Sequence, residues 1–373
     1  MTFAAAEARA RAPAPPFTEH HNELRGEIRA FVAEELRPHA AEWERAGWFP
    51  NEVFARMGEL GLLGLKYPRE YGGRGGDHLD DAVLSEELSG CGSGGLSAGI
   101  GAHVSIATPP VAQFGTHEQK ERFLAPAIRG ERIAALGITE PGAGSDVAGI
   151  RTFARRVDGG YVVNGSKTYI TNGVRADFVV TAVKTTEEGG HDGLSFLILE
   201  REMEGYRVSR KLEKLGWRAS DTAELAFGDV FVPEDNLLGE ENRGFYLIMA
   251  NFQWERLVMA LGAVSSMQRV LERALESSPP RHALAEMAVR LEASRCLTYH
   301  ALRLFAEGHD ALREVTEAKL LSQRAAFEVA EAAFRLTGGD PEIARAMRDT
   351  RLGPIGGGSD EVMKEILVKQ LGL

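Results

Sequence analysis

Apolar residues recur at helical spacing in the first and last parts of this chain and at strand spacing between them. That change of period constrains the fold more than any other feature, because a helix pattern and a strand pattern bury different faces. Leu24, Ile28, Phe31, Val32 and Leu36 fall on one face of a helix. From about residue 133 the runs shorten and become rich in β-branched and aromatic residues, as in "DFVVTAVKT", "LSFLILER" and "TAELAFGDVFVP". After Gly239 long Ala/Leu/Glu/Arg stretches such as "RHALAEMAVRLEASRCLTYHALRLF" return the pattern to helix. The expectation is an α+β chain of three domains: helical over 17–132, β over 133–238, and a helical bundle over 239–373. With 373 residues, 44% of them hydrophobic, a large core can form. No βαβ alternation supports a parallel sheet.

Local signals refine this order. Thr116 followed by Gln119 reads as a capping box ahead of "KERFLAPAI". "YPREYGGRGGDHLDD" is a Gly-rich connection between helices, and "GGYVVNGSKTYITNG" reads as strand, Asn164-Gly165 turn, strand, and a second turn at Asn172-Gly173. The opening "MTFAAAEARARAPAPPF" lacks a continuous apolar stretch and is expected to be a disordered extension, not a secretory signal.

Charge and cysteine content exclude several classes. With 43 basic against 54 acidic residues, a net charge of −11 argues against nucleic acid and against a polybasic membrane anchor. No apolar run is long enough to span a bilayer. Cys91 and Cys296 stand far apart outside any metal or redox spacing, which suggests a reducing compartment, expected to be cytoplasmic, and no metal site.

Four stretches could carry chemistry. In "GITEPGAGSD", Gly142 and Gly144 allow close backbone approach and Thr139 and Ser145 offer hydroxyls, which suits a phosphate or polar heterocycle; the same composition also makes ordinary turns. In "TYITNG", Tyr169 and Thr171 share a strand face and could meet a flat ligand, or could form a cross-strand pair. In "NFQWERLVMA", Glu255 sits in an apolar helical stretch where desolvation would make it a base, although most such glutamates are solvated or paired. Arg256 does not face it within the helix. In "PIGGGSDEV", Gly356, Gly357 and Gly358 run into Ser359, which offers free amides to an anion or serves as a plain N-cap.

Together, in this order, "ITEPGAGSD", "YITNG", "KLGWRASDTAELAFGDVFVPEDNLLG" and "RDTRLGPIGGGSDEV" resemble the acyl-CoA dehydrogenase family from about Phe17 to the end of the chain. The resemblance implies a helical domain, a β-sheet or barrel domain and a four-helix-bundle domain, assembled as a homodimer or homotetramer. It implies FAD as cofactor and an acyl-CoA or acyl-carrier-protein thioester as substrate. A glutamate would take the α-proton, the β-hydrogen would pass to flavin N5 as hydride, and an electron-transfer flavoprotein or other acceptor would reoxidise the flavin.

Carried over by position, Ile138, Thr139 and Ser145 match the loop at the flavin ring and pyrophosphate, and Ser145 also matches a thioester contact. Tyr169, Ile170 and Thr171 match the segment behind the isoalloxazine, and Ser359 and Glu361 match contacts to the diphosphate and adenosine region. Many members place the base in a Tyr-Glu-Gly-Thr stretch, which aligns here with Gly357. The isovaleryl-CoA dehydrogenase-like branch also has glycine there and takes its base from a Leu-Glu-Arg-Leu-Val stretch, which puts Glu255 on the base position. Tyr246, Gln253, Arg256, Gly357 and Gly358 then fall on substrate-contact positions, which points to a short or branched acyl group.

The match departs in two places. Relatives have an Arg-x-x-Phe-Gly segment and a downstream Gln that reach the FAD of a neighbouring subunit; "LERALESSPPRHALAEM" is shorter, with Arg281 as a poor substitute. The family's Gln-x-x-Gly-Gly matches Arg335, Gly338 and Gly339 with arginine in place of glutamine. These departures leave open a carrier-borne thioester, a flavin-dependent oxidase or monooxygenase on the same fold, or a non-catalytic partner subunit.

Overall fold

A computed structural model describes residues 15–186, 190–277 and 280–373. The expected disordered extension lies almost wholly outside the described residues. The N-terminal part is helical as the spacing predicts: α1 Glu19–Phe31, α2 Ala40–Ala46, α3 Glu52–Glu59, α4 His78–Ser89, α5 Gly94–Gly101 and α6 Thr108–Phe114. In α1, Leu24, Ile28 and Phe31 are buried, and Val32 and Leu36 continue the face through a wide i→i+5 turn. A second such turn, Ala102–Ala107, links α5 to α6. The expected capping box forms: the Gln119 amide donates to Thr116 Oγ1 at 3.2 Å and the Thr116 amide donates to Gln119 Oε1 at 3.1 Å.

The middle part is one sheet of β1 Ala134–Gly137, β2 Phe153–Val157, β3 Gly160–Thr171, β4 Phe178–Lys184, β5 Leu194–Glu200, β6 Tyr206–Lys211, β7 Thr222–Pro233 and β8 Leu237–Leu238. Its order is β6-β7-β3-β2-β4-β5-β8, with β1 beside β4. Most pairs are antiparallel, but β4 runs parallel to β1 and, at one point, to β2, pairings the absence of a βαβ pattern did not predict.

The Asn164-Gly165 turn is not there. β3 runs straight through both residues, and the reversal falls one strand earlier, between Val157 and Gly160. Asn164 marks a register irregularity instead: its amide group donates to Asp229 Oδ1 at 3.0 Å and its Oδ1 accepts from the Asp229 amide at 2.9 Å. A side chain that closes a bulge and one that turns a hairpin carry the same sequence signature. The second Asn-Gly does turn the chain, with Asn172 at φ 63°.

Beyond the sheet come α7 Gly244–Leu275, α8 Arg281–Ala306, α9 Leu312–Leu336, α10 Pro341–Asp349 and α11 Asp360–Leu371. Three long helices and the final one make the bundle, and α10 leads into the Gly-rich loop. Buried carboxylates tie the three parts together. Glu44, within α2, accepts from Ser93 Oγ at 2.5 Å and from the Arg218 amide at 3.1 Å. Asp349, at the end of α10, accepts from the Trp217 amide at 2.7 Å and the Gly94 amide at 3.0 Å. Arg175 pairs with Asp221 at 2.6 Å and lies 3.8 Å from the Trp48 ring centre. The loop after Asp349 is thereby anchored against both other domains.

Candidate active site

The loop between β1 and β2 is stitched to the far end of β3. Lys167, buried in that strand, donates to the Ile138 carbonyl at 3.0 Å and pairs with Glu140 at 2.8 Å. Glu140 in turn accepts from the amides of Arg151 at 2.6 Å and Thr152 at 3.0 Å, and the Thr168 amide donates to the Thr139 carbonyl at 2.9 Å. Burial works against the Glu140 charge, but Lys167 and these donors outweigh it and hold the carboxyl below its ordinary range. Ile138, Thr139, Tyr169, Ile170 and Thr171 are thus brought together. A bulge between Lys167 and Ile170 leaves Tyr169 at φ 60° with 70% of its surface exposed, while Ile170 turns into the core. Gly142 and Ser145 stand open on the loop, and nothing in the chain would meet a Cβ at Gly142.

Ile138 also lines a narrow crevice with Pro110, Leu136, Phe196, Leu247, Phe252 and Glu255, too tight in this structure to admit a water molecule. Glu255 is 9% exposed, and among the described residues no cation lies within ion-pair distance of it. Its bond is to Asn251 Nδ2, which donates to Oε1 at 2.7 Å. Desolvation pushes the carboxyl up to about 7, against the opposing pull of the Asn251 amide and, more weakly, Arg256. A carboxylate titrating near neutrality and facing an apolar cleft is suited to taking a proton from carbon.

The Gly-rich loop closes on the same helix. A Cβ at Gly357, which has φ 62°, would lie 2.3 Å from Met259 Sδ, one turn beyond Glu255. No side chain at position 357 could reach the cleft without displacing Met259. Lys319, buried in α9, donates to the carbonyls of Gly353 at 2.8 Å and Gly358 at 2.6 Å. Ser359 caps α11, its Oγ accepting from the Val362 amide at 3.4 Å, and Glu361 lies in the exposed first turn. The Arg256 side chain comes close to Gly358 and is buried, with its Nε lacking any partner among the described residues.

Not every expected position converges here. On α7, Tyr246 and Gln253 precede Glu255 by nine and two residues, which puts both on the opposite face of the helix. Tyr246 is 52% exposed beneath Arg243. Arg335 is 73% exposed and pairs with Glu331; with Gly338 and Gly339 it lies past the end of the contact between α9 and the Gly-rich loop. Arg335 is about 18 Å along that helix from Gln323, whose amide donates to the Met259 carbonyl. Arg281 begins α8. The pairing of Lys167 with Glu140, the Lys319 clamp and the Asn251 bond were not among the sequence candidates, because each depends on a partner distant in sequence or one turn away on a helix with many similar residues.

An exposed aromatic at positive φ, open glycines beside a hydroxyl, and a buried guanidinium with a free donor fit a flat, phosphate-bearing cofactor next to a polar thioester. An apolar crevice and a carboxylate that titrates near neutrality add what a flavin-type site for removing hydrogen from carbon would need. The same three-part order recurs in known proteins: family profiles described as the acyl-CoA dehydrogenase N-terminal, middle and C-terminal domains match residues 18–131, 135–230 and 242–372. The chain belongs to the acyl-CoA dehydrogenase family, whose members are FAD-dependent oxidoreductases acting on CH–CH groups. It is 37% identical to the mitochondrial long-chain specific acyl-CoA dehydrogenase of Mus musculus, over 95% of this chain and 87% of that protein. It is 35% identical to the mitochondrial isovaleryl-CoA dehydrogenase of Solanum tuberosum, over 95% and 91%. A crystal structure of a probable acyl CoA dehydrogenase from Mycobacterium abscessus superposes with a TM-score of 0.92 at 42% identity, covering 95% of this chain and 99% of that one. No helix among the described residues is long and apolar enough to cross a membrane.

Proposed function

We propose that Glu255 removes the α-proton of a short or branched acyl-CoA thioester in an FAD-dependent α,β-dehydrogenation. The observation that carries this reading is the unpaired Glu255 carboxylate, desolvated in a cleft it shares with Ile138 of the flavin-side loop. When bound, FAD supplies the hydride acceptor. Thr139, Ser145, Tyr169, Ile170 and Thr171 would hold its ring and pyrophosphate, and Ser359 with Glu361 the diphosphate and adenosine side. Arg256, Gly357 and Gly358 would meet the thioester, with Tyr246 and Gln253 serving the part of the ligand outside the cleft. The isovaleryl relatives and the pairing of Glu255 with glycine at 357 support the short or branched group, and the long-chain relative matches at similar identity.

Arg335, near the end of α9, and Gly338 and Gly339, just beyond it, stand away from the Gly-rich loop, which supports a homodimer or homotetramer in which they approach a neighbour's cofactor. An electron-transfer flavoprotein is the proposed electron acceptor. A carrier-borne thioester is a second reading, with which the sequence "LERALESSPPRHALAEM", shorter than in relatives, is compatible. The experiment is anaerobic flavin bleaching of the FAD-loaded protein by a panel of acyl-CoA thioesters, with the best acyl group repeated on a phosphopantetheinyl carrier. Fast bleaching by short or branched acyl-CoA is expected. Bleaching only by the carrier form would move the assignment to the second reading, and failure of the protein to take up FAD would overturn both.

A further inference from the structure

Asn251 bridges the candidate base to the N-terminal helical domain. One turn before Glu255 on α7, its Nδ2 donates to Glu255 Oε1 at 2.7 Å and to the Ile106 carbonyl at 3.1 Å. Both neighbours are acceptors, so the amide orientation is dictated: the flipped form would set its oxygen against two others. The Ile106 carbonyl is receptive for a reason visible in the sequence. An α-helix would aim the N–H of residue 110 at it, and residue 110 is proline, which has none. The wide turn Ala102–Ala107 followed by Pro109 and Pro110 thus presents a carbonyl sideways toward α7.

We propose that Asn251 is a positioning residue for Glu255, dividing its two N–H groups between the Ile106 carbonyl and Oε1 so that the carboxylate is held at one place in the cleft. The proposal rests on the reading of Glu255 as the base. A donor at Oε1 favours the ionised form, so Asn251 also limits how far burial can raise the carboxyl. From the other elements packed around Glu255 the facing side chains are Pro110, Leu136, Ile138 and Phe196, all apolar; the one charged group acting on it is Arg256, its neighbour on α7. Asn251 is therefore the main counterweight to desolvation at this site.

The test uses Asn251→Leu, which keeps the volume and removes both donors, and Asn251→Ala as a second variant. The Glu255 carboxyl band is identified in pH-difference infrared spectra by its loss in Glu255→Gln, and the pH profile of anaerobic flavin bleaching is measured in parallel. Loss of the donor should raise the midpoint of the band by roughly one pH unit and shift the acid limb of the rate profile with it. A band titrating at the wild-type midpoint in both variants would overturn the proposal. A shifted band beside an unshifted rate profile would support Asn251 as the residue that sets Glu255 while removing Glu255 from the base role.

Discussion

Glu140 and Glu255 are both nearly sealed from water, yet one is neutralised and the other is left alone. Glu140 has Lys167 at 2.8 Å and two backbone amides, and its carboxyl is held low. Glu255 has one neutral amide and an apolar surround, and its carboxyl rises to about 7. The same residue type, similarly screened from solvent, is an ion-paired staple in one place and the proposed base in the other. Glu255 is the more deeply packed of the two, and it also lacks the counter-charge that Lys167 gives Glu140. An ion pair makes a dependable staple for the flavin-side loop, whereas a base must be able to gain a proton without breaking such a pair.

The sharpest way to break this contrast is to remove the counter-charge from the staple. Lys167→Met should lower stability by about 3–5 kcal/mol, because it leaves the Glu140 charge buried and unpaired. Urea unfolding at pH 7 reads the loss, and adding Glu140→Gln should recover part of it. A fully stable Lys167→Met protein would mean the two carboxylates are not held differently after all.

Glu255→Gln should move stability the other way. The folded carboxyl titrates above its unfolded value, so its favourable contribution is complete below the unfolded pKa and is lost as pH rises through about 7. Glutamine carries no charge to desolvate, so the variant should exceed wild type by roughly 2–3 kcal/mol above pH 8 and by little near pH 5. Thermal unfolding across that range checks the sign. Glu140 works in reverse: its contribution is present above its ordinary pKa and is lost as pH falls through the lowered one.

A smaller effect probes whether the base could be moved. Gly357→Glu forces a side chain onto a residue at φ 62° and against Met259 Sδ. It should cost roughly 1–2 kcal/mol for the backbone alone, and it should not restore bleaching when combined with Glu255→Gln. Recovery of activity in that double variant would show that the loop can host the base despite Met259.

Much of this contrast was readable before the structure, though unevenly. Helical and strand periods located the elements, since burial of one face leaves a repeat in the chain; the cap at Thr116 was legible because its partner lies three residues away. Glu255 was only one polar residue among apolar ones until the family resemblance paired it with glycine at 357. Lys167 reads as an ordinary polar residue next to "NGS", and its burial follows from Glu140, which lies 27 residues earlier across a loop. Asn164 was misread because a bulge and a turn use the same residues. Asn251 becomes meaningful only when α7 lies against the carbonyl that Pro110 leaves free, a fact of packing with no local signature.

The central claim is that Glu255 is left unpaired in order to take a proton. Its most direct measurement is the rate of anaerobic flavin bleaching by the best acyl thioester, for wild type and Glu255→Gln, followed across pH. Wild type should accelerate as pH rises through about 7, where the carboxyl ionises, and the variant should be slower by at least about a hundredfold with no such limb. Equal rates and the same pH profile in the two proteins would contradict it.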